Sequence, residues 1–394
     1  MSSFVTKLMA TGAALSIGIS TFAVANFDYN GQFNNNCCPP VASCPVPVYD
    51  PCCTNWCDNF SFDASWLYWK ASGDDFHYAV ERERFVSGSA GGGSDLFTSR
   101  QKIHDMNFDW DSGFRLGFGL NLPCQGWGVY VDWTHFDTSS SSKTHVEGLS
   151  PGDVTAGLPV VGGFVTDILD DGQSADFKGH VKLRYNTVDI ELGKWCNCDC
   201  CFSFRPHVGL RLADIQERFR VHARGNGSGP GTGNAVLFDG DFTAGNFHHK
   251  NRFKGAGIRV GLDTNLCLCE GWSFIGRGAL SSIWGTTHLR NLFRTSTISV
   301  IDESSDFVRE DYRQTRFITD LSLGIRWKTM ACGCYPLTLE FAWEHHYLFN
   351  QHKYWVDNSF ALDGPPPFRD RASSLKSKGD VAFQGLTLTA GFDF

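Results

Sequence analysis

The sequence has few methionines and, after its first 25 residues, no long apolar run. Only 4 of its 394 residues are methionine, and no later segment offers the ~20 consecutive apolar residues that a membrane-spanning helix needs. The periodicity of long amphipathic helices is also missing. No basic block occurs and the formal net charge is −8, which argues against a nucleic-acid partner. These absences leave a β-rich protein as the favoured class.

The N-terminal segment has the organisation of a secretory signal peptide. Lys7 supplies a positive charge, an apolar run extends from Leu8 to Phe22, and Ala23-Val24-Ala25 forms a small-residue cleavage site. The run is short for a membrane-spanning helix, and a polar segment follows it at once. We therefore expect residues 1–25 to be removed and the mature chain to work outside the cytoplasm.

Glycine and aromatic residues are abundant, with 42 Gly, 33 Phe and 12 Trp, and many segments alternate apolar with polar residues. In the last such segment every second residue is apolar, and the final one is aromatic. These residues are Leu386, Leu388, Ala390, Phe392 and Phe394. Residues of a transmembrane strand face lipid and lumen in turn, which produces this alternation.

Comparable segments begin near residues 60, 106, 127, 181, 202, 256, 272, 317 and 337. The pattern predicts an all-β fold, a transmembrane antiparallel outer-membrane β-barrel of about ten strands. Such barrels have an even number of strands, and 12–16 strands remain the alternative. The barrel is expected over 59–394, after a Cys/Pro-rich periplasmic segment at 26–58.

The connections alternate in length. The short turns are 123–126, 196–201, 267–271 and 331–336, and the long polar loops are 72–104, 137–178, 222–252, 286–316 and 349–379. Because barrel turns are periplasmic and long loops extracellular, this alternation predicts the topology. One strand changes apolar parity between Tyr185 and Val188, which predicts a β-bulge that keeps both residues on the lipid face.

Fifteen cysteines lie in the N-terminal segment or in the predicted periplasmic turns. They are Cys37, Cys38, Cys44, Cys52, Cys53, Cys57, Cys124, Cys196, Cys198, Cys200, Cys201, Cys267, Cys269, Cys332 and Cys334. All are disulfide candidates in an oxidising compartment, although the pairing cannot be deduced. The odd count leaves at least one thiol unpaired or linked to another chain. Zinc is the alternative, but C-x-C spacing disfavours it, so no metal or other cofactor is predicted.

Charged residues occupy positions that alternate with the apolar ones. The pore-lining candidates are Arg115, Arg184, Arg205, Arg211, Arg259, Arg277, Arg326, Glu340 and Glu344. Facing charges of opposite sign would create a transverse field across a narrow pore. Alternatively, the charges pair and plug the barrel, because about ten strands leave little open lumen.

The loop at 286–316 mixes acidic and apolar residues, which predicts that it folds inward and narrows the pore. Its constriction candidates are Asp302, Glu303, Asp306, Glu310 and Asp311. The alternative is a surface loop that packs against its neighbours. An enzyme is disfavoured, because His345-His346 beside Glu344 lack a Ser/His/Asp arrangement or a G-x-S-x-G motif.

The segment Trp66-Leu67-Tyr68-Trp69-Lys70-Ala71, followed by Asp74-Asp75-Phe76-His77-Tyr78-Ala79, resembles the opening signature of the Legionella-type major outer membrane protein family. The Gly-Phe-Arg-Leu-Gly run at 113–117 extends the resemblance towards Phe394. The dense cysteine cluster at 37–57 resembles the branch found in amoeba-associated chlamydiae, a group associated with a disulfide-crosslinked envelope.

The resemblance implies a porin in the outer membrane of a Gram-negative-type bacterium, surrounded by lipid and passing small hydrophilic solutes. It also implies disulfide links to itself or to other envelope proteins, and it leaves a homo-oligomer open. The alternative function is a non-conducting structural envelope protein or adhesin with a plugged barrel.

Overall fold

The structure is a computed structural model that describes residues 60–74, 76–87, 96–122, 127–147, 154–160, 163–169, 174–197, 201–226, 243–269, 271–297, 303–331, 335–356 and 375–393. The described residues contain fifteen strands and no helix, and therefore no helix that is long and apolar enough to cross a membrane. The predicted segments 1–25 and 26–58 lie outside the described residues.

The strands follow one another in chain order. They are β1 (Phe60–Gly73), β2 (His77–Ser87), β3 (Leu96–Asp105), β4 (Trp110–Asn121), β5 (Trp127–Glu147), β6 (Val154–Val160), β7 (Gly163–Leu169), β8 (Ser174–Lys194), β9 (Cys196–Asn197), β10 (Phe202–Asn226), β11 (Thr243–Cys269), β12 (Trp272–Thr297), β13 (Glu303–Ala331), β14 (Tyr335–Val356) and β15 (Leu375–Asp393).

Ten of these strands form a closed antiparallel barrel. Their order is β11-β12-β13-β14-β15-β1-β4-β5-β8-β10, and β10 pairs back with β11 to close the sheet. All ten predicted alternating segments lie on these strands, so the predicted fold class and strand number are confirmed. A second sheet, in the order β3-β2-β6-β7, occupies segments that the sequence predicts as loops.

The outer face of the barrel carries an apolar band bounded by aromatic residues. Leu210 is 56% exposed and its cross-strand partners Ile190 and Ile258 are also exposed, as lipid-facing residues must be. Trp127 and Trp272 lie at the short-turn end of the band, and exposed Trp133, Trp284 and Trp343 lie at the other end. This arrangement matches the two aromatic belts of membrane-spanning proteins.

Two sequence predictions about local structure are wrong. The register of β8 is continuous with both neighbours, so no bulge occurs near Asn186 and Tyr185 faces the interior. Residues 286–297 and 303–316 are strand rather than loop, because β12 and β13 remain paired from Trp272 out to Ser296. Both errors have one cause: beyond the membrane the outer face turns polar and the inner face apolar, so the lipid-facing alternation no longer holds.

Candidate functional site

Charged side chains from several strands meet inside the barrel. The Arg211 guanidinium on β10 donates to Asp189 Oδ1 at 2.6 Å and to Asp320 Oδ2 at 2.7 Å. Arg259 on β11 donates to Glu191 Oε1 at 2.7 Å and also contacts Asp320. Because each guanidinium offers several N–H groups in a fixed fork, two arginines bind three buried carboxylates here. This charge cluster links β8, β10, β11 and β13.

The network continues to β4 and β14. Arg115 binds Glu344 in a bidentate pair with both N–O distances at 2.9 Å. His346 Nδ1 lies 2.7 Å from Asp320 Oδ1, and its Nε2 lies 3.1 Å from Glu344 Oε2. Both ring nitrogens therefore face carboxylate oxygens, an arrangement that suits the doubly protonated imidazolium. In that form His346 is a third cation of the charge cluster.

Two further groups of interior charges are also paired. Glu340 accepts from Arg277 at 2.5 Å and from Arg326 at 2.6 Å. Arg205 donates to Asp263 at 2.8 Å and to Glu191 at 3.0 Å. Charges of opposite sign are thus in contact rather than separated across an open lumen.

Eight of the nine pore-lining candidates lie on this interior face, and their role in conduction stays a prediction. They are Arg115, Arg205, Arg211, Arg259, Arg277, Arg326, Glu340 and Glu344. The prediction that Arg184 faces the lumen is wrong. It lies on the outer face with its side chain 40% exposed and pairs with Asp137 at 2.9 Å, because β8 has no bulge to change its parity.

An aromatic cluster fills the interior on the loop side of the charge cluster. Trp69, Phe136, Tyr185 and Phe383 are each at most 1% exposed. The Phe136 ring lies 5.3 Å from Trp69 and 5.4 Å from Phe383, which lies 5.3 Å from Tyr185. Sequence reasoning missed this aromatic cluster. The signal in the sequence was that each of four strands carries a large aromatic residue at a position that faces the lumen, where polar residues are expected.

A buried polar triad lies further out, beyond the aromatic belt. Glu217 on β10, His249 on β11 and His352 on β14 are at most 2% exposed, and each offers a ligand atom within 4.8 Å of the others. Glu217 Oε1 lies 3.6 Å from His249 Nε2 and contacts His352 Nδ1. Burial opposes ionisation of Glu217, but the two histidines hold the pKa of its carboxyl below the ordinary value. Two histidines and a carboxylate are a donor set that divalent transition metals accept.

Comparison with known proteins identifies the family. A sequence profile of the Legionella pneumophila major outer membrane protein precursor matches residues 51–394. The chain belongs to this family. It is therefore an outer-membrane β-barrel protein. No curated protein sequence matches the chain.

Two solved outer-membrane proteins match the chain at low identity and low TM-score. The outer membrane protease OmpT from Escherichia coli is 13% identical over 86% of this chain and 97% of its own, with a TM-score of 0.36. A Pseudomonas aeruginosa FadL homologue is 8% identical over 86% of this chain and 91% of its own, with a TM-score of 0.22. At these values the likeness carries no argument about activity.

The constriction candidates that lie in the described part of the chain do not form an inward loop. Glu303, Asp306, Glu310 and Asp311 lie on β13, paired with β12, while Asp302 lies outside the described residues. Asp311 faces outward, 2.7 Å from His288. The inward-loop prediction is therefore wrong for 303–316, because the cross-strand hydrogen bonds continue past the membrane.

Few of the cysteines lie in the described part of the chain. Cys196 is half-buried and Cys267 is exposed, and no disulfide joins them to another described residue. Cys201 accepts a backbone hydrogen bond from Cys267 N at 2.7 Å, which places the two turns side by side. Cys37, Cys38, Cys44, Cys52, Cys53, Cys57, Cys124, Cys198, Cys200, Cys332 and Cys334 lie outside the described residues. Their disulfide role stays a prediction.

Proposed function

We propose that this chain is a structural protein of the outer membrane whose lumen is closed to passive diffusion. The aromatic cluster is the observation that carries the proposal, because its four rings are buried against one another inside the barrel. A barrel of about eight strands is only wide enough to be filled by side chains, and ten strands add little room. The volume of these side chains therefore supports a closed lumen.

The charge cluster supports the same proposal. Opening a path past Arg211 would separate it from Asp189 and Asp320, its partners at 2.6 and 2.7 Å. Breaking a buried ion pair costs about 3–5 kcal/mol, so these contacts favour a filled interior. We also propose that the chain is not an enzyme, because His346 is held between two carboxylates rather than beside a nucleophile.

We further propose that periplasmic cysteines link the barrel to neighbouring chains. Cys267 is exposed at the short-turn end, and the cysteine-rich segment precedes β1 in the same oxidising compartment. Non-reducing electrophoresis of isolated envelopes tests this proposal: oligomers that dithiothreitol dissolves are expected. A monomer in both lanes would contradict the crosslink and leave the closed lumen untouched.

A passive channel for small hydrophilic solutes is the second candidate function. The polar, charged interior favours it, since an aqueous path needs such a lining. Under this alternative the aromatic cluster must move aside.

Planar-bilayer recording of the refolded chain separates the two functions. The closed barrel predicts no steady conductance from the wild type and a clear rise for the double variant Trp69→Ala/Phe136→Ala. The matched control is Trp66→Ala/Phe114→Ala, which removes two outward-facing aromatic rings and is expected to remain silent. Steady wild-type channels would overturn the closed lumen in favour of a porin.

A further inference from the structure

Five cations lie side by side on the outer face of the barrel, beyond the aromatic belt. Lys182 on β8 is the cross-strand partner of Arg218 on β10, which pairs with Lys250 on β11. Lys250 pairs with Arg290 on β12, which pairs with Arg309 on β13. Like charges directly opposite each other destabilise a sheet. This cation row therefore carries a repulsion that a bound anion would relieve.

Acidic side chains compensate the cation row poorly. Lys182 has Asp137 at 3.7 Å and Arg309 has Asp311 at 3.8 Å, but no ion pair joins Arg218, Lys250 or Arg290 to another residue in the described ranges. Partial burial and the charges of Arg218 and Arg290 hold the pKa of Lys250 below its ordinary value. The repulsion is thus felt by the central residue of the row.

A shallow groove runs along the cation row. It is lined by Arg218, Arg220, His248, Lys250, Arg290 and Leu292, with a contribution from His249. Cationic side chains around an apolar one suit a ligand that combines phosphate groups with a less polar body, such as a sugar.

The height of the row restricts the ligand further. Arg290 follows Trp284 of the aromatic belt by six positions on β12, a distance of roughly 20 Å along a strand. With a tilt of about 40° the row stands roughly 15 Å above the belt. A phospholipid headgroup layer is only about 5–8 Å thick. A ligand anchored in the outer leaflet therefore needs a tall headgroup to reach the row.

We propose that the cation row binds the phosphate groups of a phosphorylated glycolipid in the outer leaflet. Arginine suits this role, because its planar guanidinium binds a phosphate through two parallel hydrogen bonds. Lys250, between two arginines, adds a point charge that a single bridging phosphate neutralises.

The test uses the full chain reconstituted in lipid nanodiscs with phosphorylated lipopolysaccharide, with its dephosphorylated form, or with zwitterionic phospholipid alone. The variant is Arg218→Gln/Lys250→Gln/Arg290→Gln. The matched control is Lys102→Gln/Lys143→Gln/Lys178→Gln, which removes three exposed cations from β3, β5 and β8. Bound glycolipid is counted by mass spectrometry after detergent extraction.

We expect the wild type and the control to retain phosphorylated glycolipid. The variant should bind it about 100-fold more weakly, since each of the three cations near a membrane surface contributes a factor of about five. Equal retention of the dephosphorylated form, or no difference between variant and control, would overturn the proposal. Binding of soluble sulfated polysaccharide with no glycolipid retained would also overturn it, in favour of a polyanion partner.

A different observation inside the barrel carries a second proposal. His249 Nδ1 lies 2.7 Å from Asn291 Oδ1, and its Nε2 faces Glu217 Oε1 across 3.6 Å. Among the described residues, Glu217 Oε2 accepts no hydrogen bond although it is buried, and such an atom is costly to leave unsatisfied.

We infer that Glu217, His249 and His352 bind one divalent transition-metal ion, which ties β10 and β11 to β14 across the extracellular part of the barrel. Ligand atoms within 4.8 Å of one another are compatible, after small shifts, with metal–ligand distances of about 2.0–2.2 Å. Asn291 would then orient one ligand, as outer hydrogen-bond partners commonly do. The competing cation is the buried Arg316, whose charge also acts on Glu217.

The test is metal stoichiometry of the refolded full chain after incubation with Zn²⁺ and dialysis, with the Co²⁺ absorption spectrum as a second readout. One equivalent is expected for the wild type and for the control His248→Gln, whose ring faces outward. Glu217→Gln should lose the ion, and Asn291→Ala should weaken binding by roughly 10- to 100-fold. No bound equivalent in the folded wild type, or unchanged binding by Glu217→Gln, would show that the triad is only an internal ion pair.

Discussion

At the scale of the residue, the contribution of each interior arginine to the stability of the barrel depends on the carboxylates that it contacts. Arg211 lies between Asp189 and Asp320 and is 3% exposed. Replacing it with glutamine leaves two buried carboxylates undercompensated, so we expect Arg211→Gln to lower the free energy of unfolding by about 3–5 kcal/mol. Urea unfolding of vesicle-inserted protein, followed by tryptophan fluorescence, measures this change.

Arg313→Gln is the control for that prediction. Arg313 is an exposed residue on the outer face of β13, so its replacement should change stability by no more than about 0.5 kcal/mol. Equal effects of the two variants would mean that the charge cluster does not contribute to stability.

At the scale of the element, the turn between β11 and β12 depends on one glycine. Gly271 has φ of 84°, and its carbonyl accepts a hydrogen bond from Lys328 N at 2.9 Å. A Cβ added there would lie 2.3 Å from the Lys328 carbonyl oxygen. We therefore expect Gly271→Ala to destabilise the barrel by more than about 1 kcal/mol and to slow its assembly in vesicles.

Gly278→Ala on the adjoining strand is the matched control. Its Cβ would meet nothing closer than Leu321 Cδ2 at 3.7 Å, an ordinary van der Waals distance. A loss of stability as large as that of Gly271→Ala would show that β12 resists any added side chain, and the turn would not be special.

At the scale of the whole molecule, the alternation of turns and long connections assigns the two membrane sides. A peptide tag inserted into 227–242, between β10 and β11, should be labelled by antibody on intact cells. A tag inserted at 198–200, between β9 and β10, should be labelled only after permeabilisation. Labelling of the second tag on intact cells would reverse the orientation of the barrel.

The sequence by itself determined the membrane-spanning part of this protein. Lipid requires apolar residues on one face of every strand, so the alternation through Leu210 or Val260 reveals both the strand and its outward side. The same constraint located all ten barrel strands, because every strand that crosses the lipid must carry this apolar alternation.

Only the tertiary structure decided what lies beyond the lipid and what fills the lumen. Above the aromatic belt the outer face is exposed to water and the inner face is packed, so the lipid-facing alternation no longer applies. For this reason the sequence wrongly predicts that Tyr185 on β8 faces lipid and that Glu303–Arg316 is a loop. Whether interior charges pair or stand apart depends on strands distant in sequence, as Arg211 and Asp320 show. Alternation within one strand reports which face a residue occupies, but it carries no information about the residue that meets it across the barrel.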